Sequence, residues 1–143
     1  MCFGARDNKY GSFHVPYGGR IAAVKLIYVS GYVTCTGQIS TWSFWGCGTY
    51  PSLKNHVSLA ITTSSNGLLM PPNSFFTYAG GSGKWSQLHG YNSFSPEIIL
   101  PRFLPYPVSS GQELRLWYGE DLVAYAEGDN GGLVCCNVYV LYV

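Results

Sequence analysis

Apolar positions along the chain fall in short runs, and no ten-residue stretch repeats them at helical spacing. The segment "NHVSLAITT" alternates: Val57, Leu59 and Ile61 face one way, and His56, Ser58, Ala60 and Thr62 the other. "ELRLWYGE" sends Leu114, Leu116 and Tyr118 inward and places Arg115 and Trp117 on the opposite face. Period-two patterning with β-branched and aromatic residues is the signature of strands. "GRIAAVKLIYVSGYVTC" reads as one long strand or as two, Ile21 to Tyr28 and Gly31 to Cys35. "STWSFWGCG" reads as an aromatic strand carrying Trp42, Phe44 and Trp45. "LVCCNVYVLYV" is almost continuously apolar, with Val138, Val140 and Tyr142 on one side, and predicts a strand buried on both faces. Pro101, Pro105 and Pro107 confine "EIILPRFLPYPV" to a sheet edge or an irregular path. The clusters "SSNG" and "SSGQ" mark turns. The pattern predicts an all-β fold, an antiparallel β-sandwich or jelly roll of about 7–9 strands, in a single domain over residues 1–143.

Composition narrows the class. Charged residues make up 10% of the chain, against about 25% in an ordinary soluble domain. The wet surface must therefore come from hydroxyls, amides and glycine, as in many secreted and sugar-binding β proteins. With a formal charge of +1 and no basic run, the chain lacks the electrostatic footprint of a nucleic-acid binder. No apolar span is long enough for a membrane helix. Cysteines stand at 2, 35, 47, 135 and 136, without zinc spacing. Cys35 with Cys47 is the expected disulfide, and Cys2 with Cys135 or Cys136 would tie the termini together. Neighbouring strand residues point to opposite faces, so Cys135 and Cys136 need different partners. Five buried thiols remain the alternative.

Four of the seven acidic residues, Glu120, Asp121, Glu127 and Asp129, fall within ten positions. The segment "YGEDLVAYAEGDNGG" joins two strong strands, so it reads as a broad loop. Calcium takes six to eight oxygen ligands. Those four carboxylates and the Asn130 side chain offer five, and an ion would relieve their mutual repulsion. The spacing is not that of an EF-hand. The plainer alternative is a solvated turn, since Asp, Asn and Gly favour turns, with Glu120 paired to Arg115 or Arg102.

The pieces "SGQELRLWYGEDL", "EGDN" and "VYVLY", together with "NHVSLAITTSSNGLLMPP", resemble a module of marine-invertebrate extracellular proteins, some of them of the coral skeletal organic matrix. The resemblance is strongest over Ser109 to Tyr142. Ala126 and Gly128 stand where the module carries Thr and Ser, and Asn137 follows Cys136 where it carries a carboxylate. The resemblance implies secretion and calcium or glycan contact, and it implies no catalytic activity.

Other constellations are weaker. "GGSGK" lacks the P-loop pattern. The histidines His14, His56 and His89 and the many serines form no nucleophile elbow. A glycosidase would need paired carboxylates, for which Glu97, Glu113, Glu120 and Glu127 are candidates; Glu113 and Glu120 stand too far apart along one strand, while Glu120 with Glu127 across a hairpin fits. Most tryptophans are expected in the core, but Trp85, beside the loop Gly80 to Gly83, is expected to be exposed. The sequence thus points to a secreted, calcium-dependent, lectin-like carbohydrate-binding module without catalysis. Glu120, Asp121, Glu127, Asp129 and Asn130 would hold the ion; Trp85, Tyr125, Asn92 and Asn137 would contact a glycan or extracellular glycoprotein. The alternatives are a self-assembling matrix or adhesion protein, with homo-oligomers, and a small glycoside-acting enzyme.

Overall fold

The computed structural model describes residues 1–76 and 83–143. Gly80, Gly81 and Ser82 of the glycine-rich loop lie outside the described residues. Eight strands run in chain order: β1 (Cys2–Gly4), β2 (Gly11–His14), β3 (Gly19–Thr34), β4 (Leu59–Thr63), β5 (Leu68–Met70), β6 (Glu97–Val108), β7 (Glu113–Tyr118) and β8 (Gly131–Tyr142). They form two antiparallel four-stranded sheets, ordered β1-β8-β3-β6 and β2-β7-β4-β5. The all-β sandwich expected from the alternation is the fold observed.

Alternation explains the core. Val24, Leu26, Ile98, Leu100 and Val134 of the first sheet and Leu59, Ile61, Leu114 and Leu116 of the second are fully buried. Burying each such side chain contributes about 1.5–3 kcal/mol. Leu116→Ala would cost about 2–5 kcal/mol, since transfer energy is lost and a cavity is left. The long β3 is a single strand with irregularities at Ile21/Ala23 and Tyr28/Ser30. Prolines keep β6 at the sheet edge, as their missing N–H groups require.

Three expectations need correction. "STWSFWGCG" forms a short 3-10 turn, Ile39–Thr41, and isolated bridges rather than a strand. The Phe44 and Trp45 amides both donate to the Ser93 carbonyl, so the chain wraps around that oxygen instead of laddering along a neighbour. The strand β8 is not buried on both faces: Leu133, Tyr139 and Leu141 lie exposed. The free thiol is Cys136. Disulfides join Cys2 to Cys135 and Cys35 to Cys47. Strand parity decides this, because Cys136 points into the core while Cys135 points out toward Cys2.

Candidate functional site

The acidic segment leaves β7 as one α-helical turn, α1 (Gly119–Leu122), followed by a 3-10 turn over Glu127–Asp129, and enters β8 at Gly131. Gly119 permits this exit: a Cβ there would sit 2.6 Å from Lys84 and 2.7 Å from the Ser58 hydroxyl. Ala124 and Ala126, between the turns, both adopt left-handed backbone with φ of 50°. Non-glycine residues rarely hold that conformation and pay for it energetically.

Burial separates the four carboxylates into different environments. Glu120 is 6% exposed and Asp121 1%. Both Asp121 oxygens are engaged, accepting the Asn8 and Lys9 amides at 2.9 Å each. Asp121 thereby clamps the N-terminal loop against α1. Glu120 Oε2 accepts the Trp85 indole N–H at 3.0 Å, while Oε1 is buried with no donor. Burial pushes the Glu120 carboxyl up to about 7; Asp129 and Glu127 add to the push, and the Trp85 and Asn130 side chains oppose it. Asn130, 2% exposed, donates from Nδ2 to the Ala5 carbonyl and leaves Oδ1 buried without a partner. Glu127 Oε2 is a third such orphan. Its carboxyl is raised by burial and by the neighbouring Asp121 and Asp7 carboxylates, with Arg6 opposing. Three acceptor oxygens have no donor from the protein, and a proton, a water or a positive ion would satisfy them, since an unpaired buried polar atom costs about 1–3 kcal/mol.

Of these acidic residues, Glu120 and Asp129 border a cleft of about 310 Å³ whose lining also includes Thr36, Tyr50, Ser52 and Tyr125. Trp85 lines the cleft and packs on the buried Tyr118, edge to face at 5.9 Å. The Tyr118 hydroxyl donates to the Gly46 carbonyl at 2.8 Å, and burial, then Glu120 and Asp129, raises its pKa. The Cys35–Cys47 disulfide fastens the wall that carries Thr36 and Tyr50. Among the described residues, no three carboxylate, imidazole or thiol groups converge into a preformed metal cluster. The donor set offered to a hard cation is instead mixed: the Glu120 and Asp129 carboxylates and the Asn130 amide oxygen, with room left for hydroxyls. Oxygen-rich, incomplete sets of this kind fit calcium better than softer metals.

The sequence-predicted contacts divide. Tyr125, 49% exposed, lies on the cleft beside Glu120 and Asp129. Trp85 is not the exposed residue expected: it is 2% exposed, because its indole N–H is spent on Glu120 and its ring packs on Tyr118. Asn92 is exposed on a different cleft, with Asn55, Gln87 and His89, and accepts the Phe94 amide. Asn137 is exposed on β8, in register with Ile27 and away from the acidic loop. Neither arginine proposed as a partner reaches Glu120. Arg115 pairs with Glu113 at 2.9 Å, and Arg102 donates to the Leu104 and Leu69 carbonyls. Thr36, Tyr50 and Ser52 were not foreseen, since only tertiary folding brings them beside the acidic segment.

Fold and site together define a disulfide-bonded antiparallel β-sandwich with an acidic, half-buried cleft beside the entry to its last strand. The chain is similar to a solved structure, AJLec from the sea anemone Anthopleura japonica, with a TM-score of 0.91 and 30% identity over 100% of this chain and 92% of that one. The chain belongs to the family of that sea anemone protein, whose name marks it as a lectin. No family model matches the chain, and no curated protein does. The marine-invertebrate part of the resemblance is thus met by a sea anemone protein.

Proposed function

We propose that this chain is a secreted lectin-like module that binds glycan through a calcium ion seated between Glu120, Asp129 and Asn130. The observation that carries this reading is the buried, donorless Glu120 Oε1, on a residue that lines an open polar cleft with Asp129, together with the donorless Oδ1 of the adjacent Asn130. A seated ion would satisfy both and hold Glu120 ionised despite its burial. When bound, it supplies Lewis-acidic coordination sites for vicinal sugar hydroxyls. The chain's own residues do the rest. Trp85 fixes the Glu120 rotamer, Asp121 anchors the loop to the N-terminal segment, and Tyr125 offers an exposed ring to a sugar C–H face. Membership of a lectin-named family supports the ligand class. The two disulfides support an oxidising, extracellular setting, and no described helix is long and apolar enough to cross a membrane.

The test is binding to a glycan array in calcium and again in EDTA. The expected result is a set of calcium-dependent hits that Tyr125→Ala weakens by about tenfold or more, a loss on the order of 1.4 kcal/mol. Hits unaffected by EDTA would remove the ion from the mechanism, and a blank array would remove the glycan.

A further inference from the structure

We propose that the bulge of β6 between Pro101 and Tyr106 is a membrane-docking tip, which sets Phe103 and Leu104 shallowly into an anionic phospholipid bilayer. The bulge shows in the ladder. Tyr106 pairs with Ile21 and Pro101 with Ala23, so four residues of β6 stand against the single Ala22 of β3. The excess bends out of an edge strand. Phe103 is 70% exposed and Leu104 75%. Successive side chains of a regular strand take opposite faces, yet here two adjacent apolar ones both stand in water. Phe75 holds the Phe103 ring edge to face, with centroids 5.6 Å apart. The backbone beneath them suits lipid. Peptide groups that enter a bilayer must be satisfied from within the protein. Pro101 and Pro105 bracket the tip and carry no N–H. The Leu104 carbonyl accepts the Arg102 Nε–H at 2.7 Å, and Arg102 Nη1 donates to the Leu69 carbonyl of β5 at 2.9 Å. One guanidinium thus closes the bulge and ties it to the second sheet, so the tip is ordered before it meets its target.

Charge points to an anionic headgroup. The Arg102 guanidinium lies 5.2 Å from the Tyr106 ring centre. The Lys84 ammonium lies 4.9 Å from that of Phe76, the neighbour of Phe75. Arg20, exposed and in register with Pro107, adds a third cation. Among the described residues, none of the three has a carboxylate within ion-pair distance. The carboxylate of β6 itself, Glu97, stands at the far end of the strand. Cations and aromatic rings set behind an apolar tip match the headgroup layer of a membrane, where a guanidinium meets phosphate and rings lie at the interface. Size argues against a protein partner. A stable protein contact buries about 1,000 Å² or more, which two protruding side chains do not supply, whereas a bilayer takes up a small apolar tip reversibly. The tip shares no residue with the acidic cleft, so the docking stands apart from the proposed function.

Flotation with synthetic vesicles in EDTA tests the docking, because these vesicles carry no glycan and EDTA removes any calcium bridge to lipid. One set is equimolar phosphatidylcholine and phosphatidylserine, the other phosphatidylcholine alone. The wild type should float with the anionic set, less with the neutral set, and less again as salt is raised. The double variant Phe103→Ser, Leu104→Ser should bind the anionic set about tenfold or more weakly, with an unchanged circular-dichroism spectrum. Arg20→Gln with Lys84→Gln should reduce binding to the anionic set toward the neutral level. Ile39→Ser removes a residue 91% exposed on another element and should leave binding as it was. A wild type that does not float with anionic vesicles overturns the proposal. So does equal binding to both sets, a double serine variant that floats like the wild type, or an Ile39→Ser variant that loses as much. Flotation that appears only when calcium is added also overturns it, and assigns the lipid contact to the acidic cleft.

Discussion

Glu113 and Glu120 open and follow the same strand, β7, and meet opposite fates. Glu113 lies on the outer face, where Arg115 and the Ser12 hydroxyl both donate to it, and its carboxyl is held below the ordinary value by those bonds. Glu120 has turned inward with α1, keeps one indole donor, leaves its other oxygen bare, and is pushed up to about 7 by burial. Formal charge is identical and chain distance is small, so environment alone makes the difference. The lesson is that clustering in the sequence does not make a site. Of the four pooled carboxylates, Asp121 is a structural clamp, and the open valence belongs to Glu120 and its neighbours.

The largest expected effect lies at Glu120. At a calcium concentration a hundredfold above Kd, the wild type should gain about 2.7 kcal/mol, on the order of 10 °C in melting temperature. Glu120→Gln should lose most of that gain and Glu113→Gln should keep it, as a thermal-shift series in calcium and EDTA would show. Equal responses in both variants would erase the comparison. Next comes Asp121→Ala, which leaves the Asn8 and Lys9 amides without their acceptor and should cost about 2 kcal/mol, read as a lower urea midpoint at constant slope.

The pH dependence follows in size and separates the two glutamates by sign. Glu120 binds its proton more tightly folded than unfolded. Metal-free protein should therefore lose stability as pH rises from about 4.5 to about 7, and Glu120→Gln should flatten that slope. Glu113 is shifted the other way. Its contribution is present above the ordinary carboxylate value and is lost as pH falls through its lowered folded value. The smallest effect is that of Glu113→Gln in calcium at neutral pH, a slight loss with no change in ion response. A flat melting profile for the metal-free wild type from mildly acidic to neutral pH would contradict the burial of Glu120.

Much of the fold could be read from the sequence. Alternation in "NHVSLAITT" and "ELRLWYGE" gave the inward sets of β4 and β7, and prolines placed β6 at an edge. "STWSFWGCG" misled because aromatic content mimics a strand, while the Ser93 carbonyl that bends it lies far along the chain. The near-continuous apolar run of β8 predicts two-sided burial, but Leu133, Tyr139 and Leu141 lie exposed on it. The acidic loop was located from composition alone. Its internal division was not legible, because Asp121's partners are backbone amides of Asn8 and Lys9, and Glu120's donor is an indole expected at the surface. Thr36, just after Cys35, and Tyr50 and Ser52, just after Cys47, reach the cleft from the two ends of a disulfide that no local pattern marks.

Isothermal titration of calcium into the EDTA-stripped chain, at a pH above the raised Glu120 value, tests the central claim most directly. The account predicts one saturable site per chain that Glu120→Gln abolishes and Glu113→Gln leaves in place. A titration with no heat above dilution, or a site that survives Glu120→Gln unchanged, would contradict it.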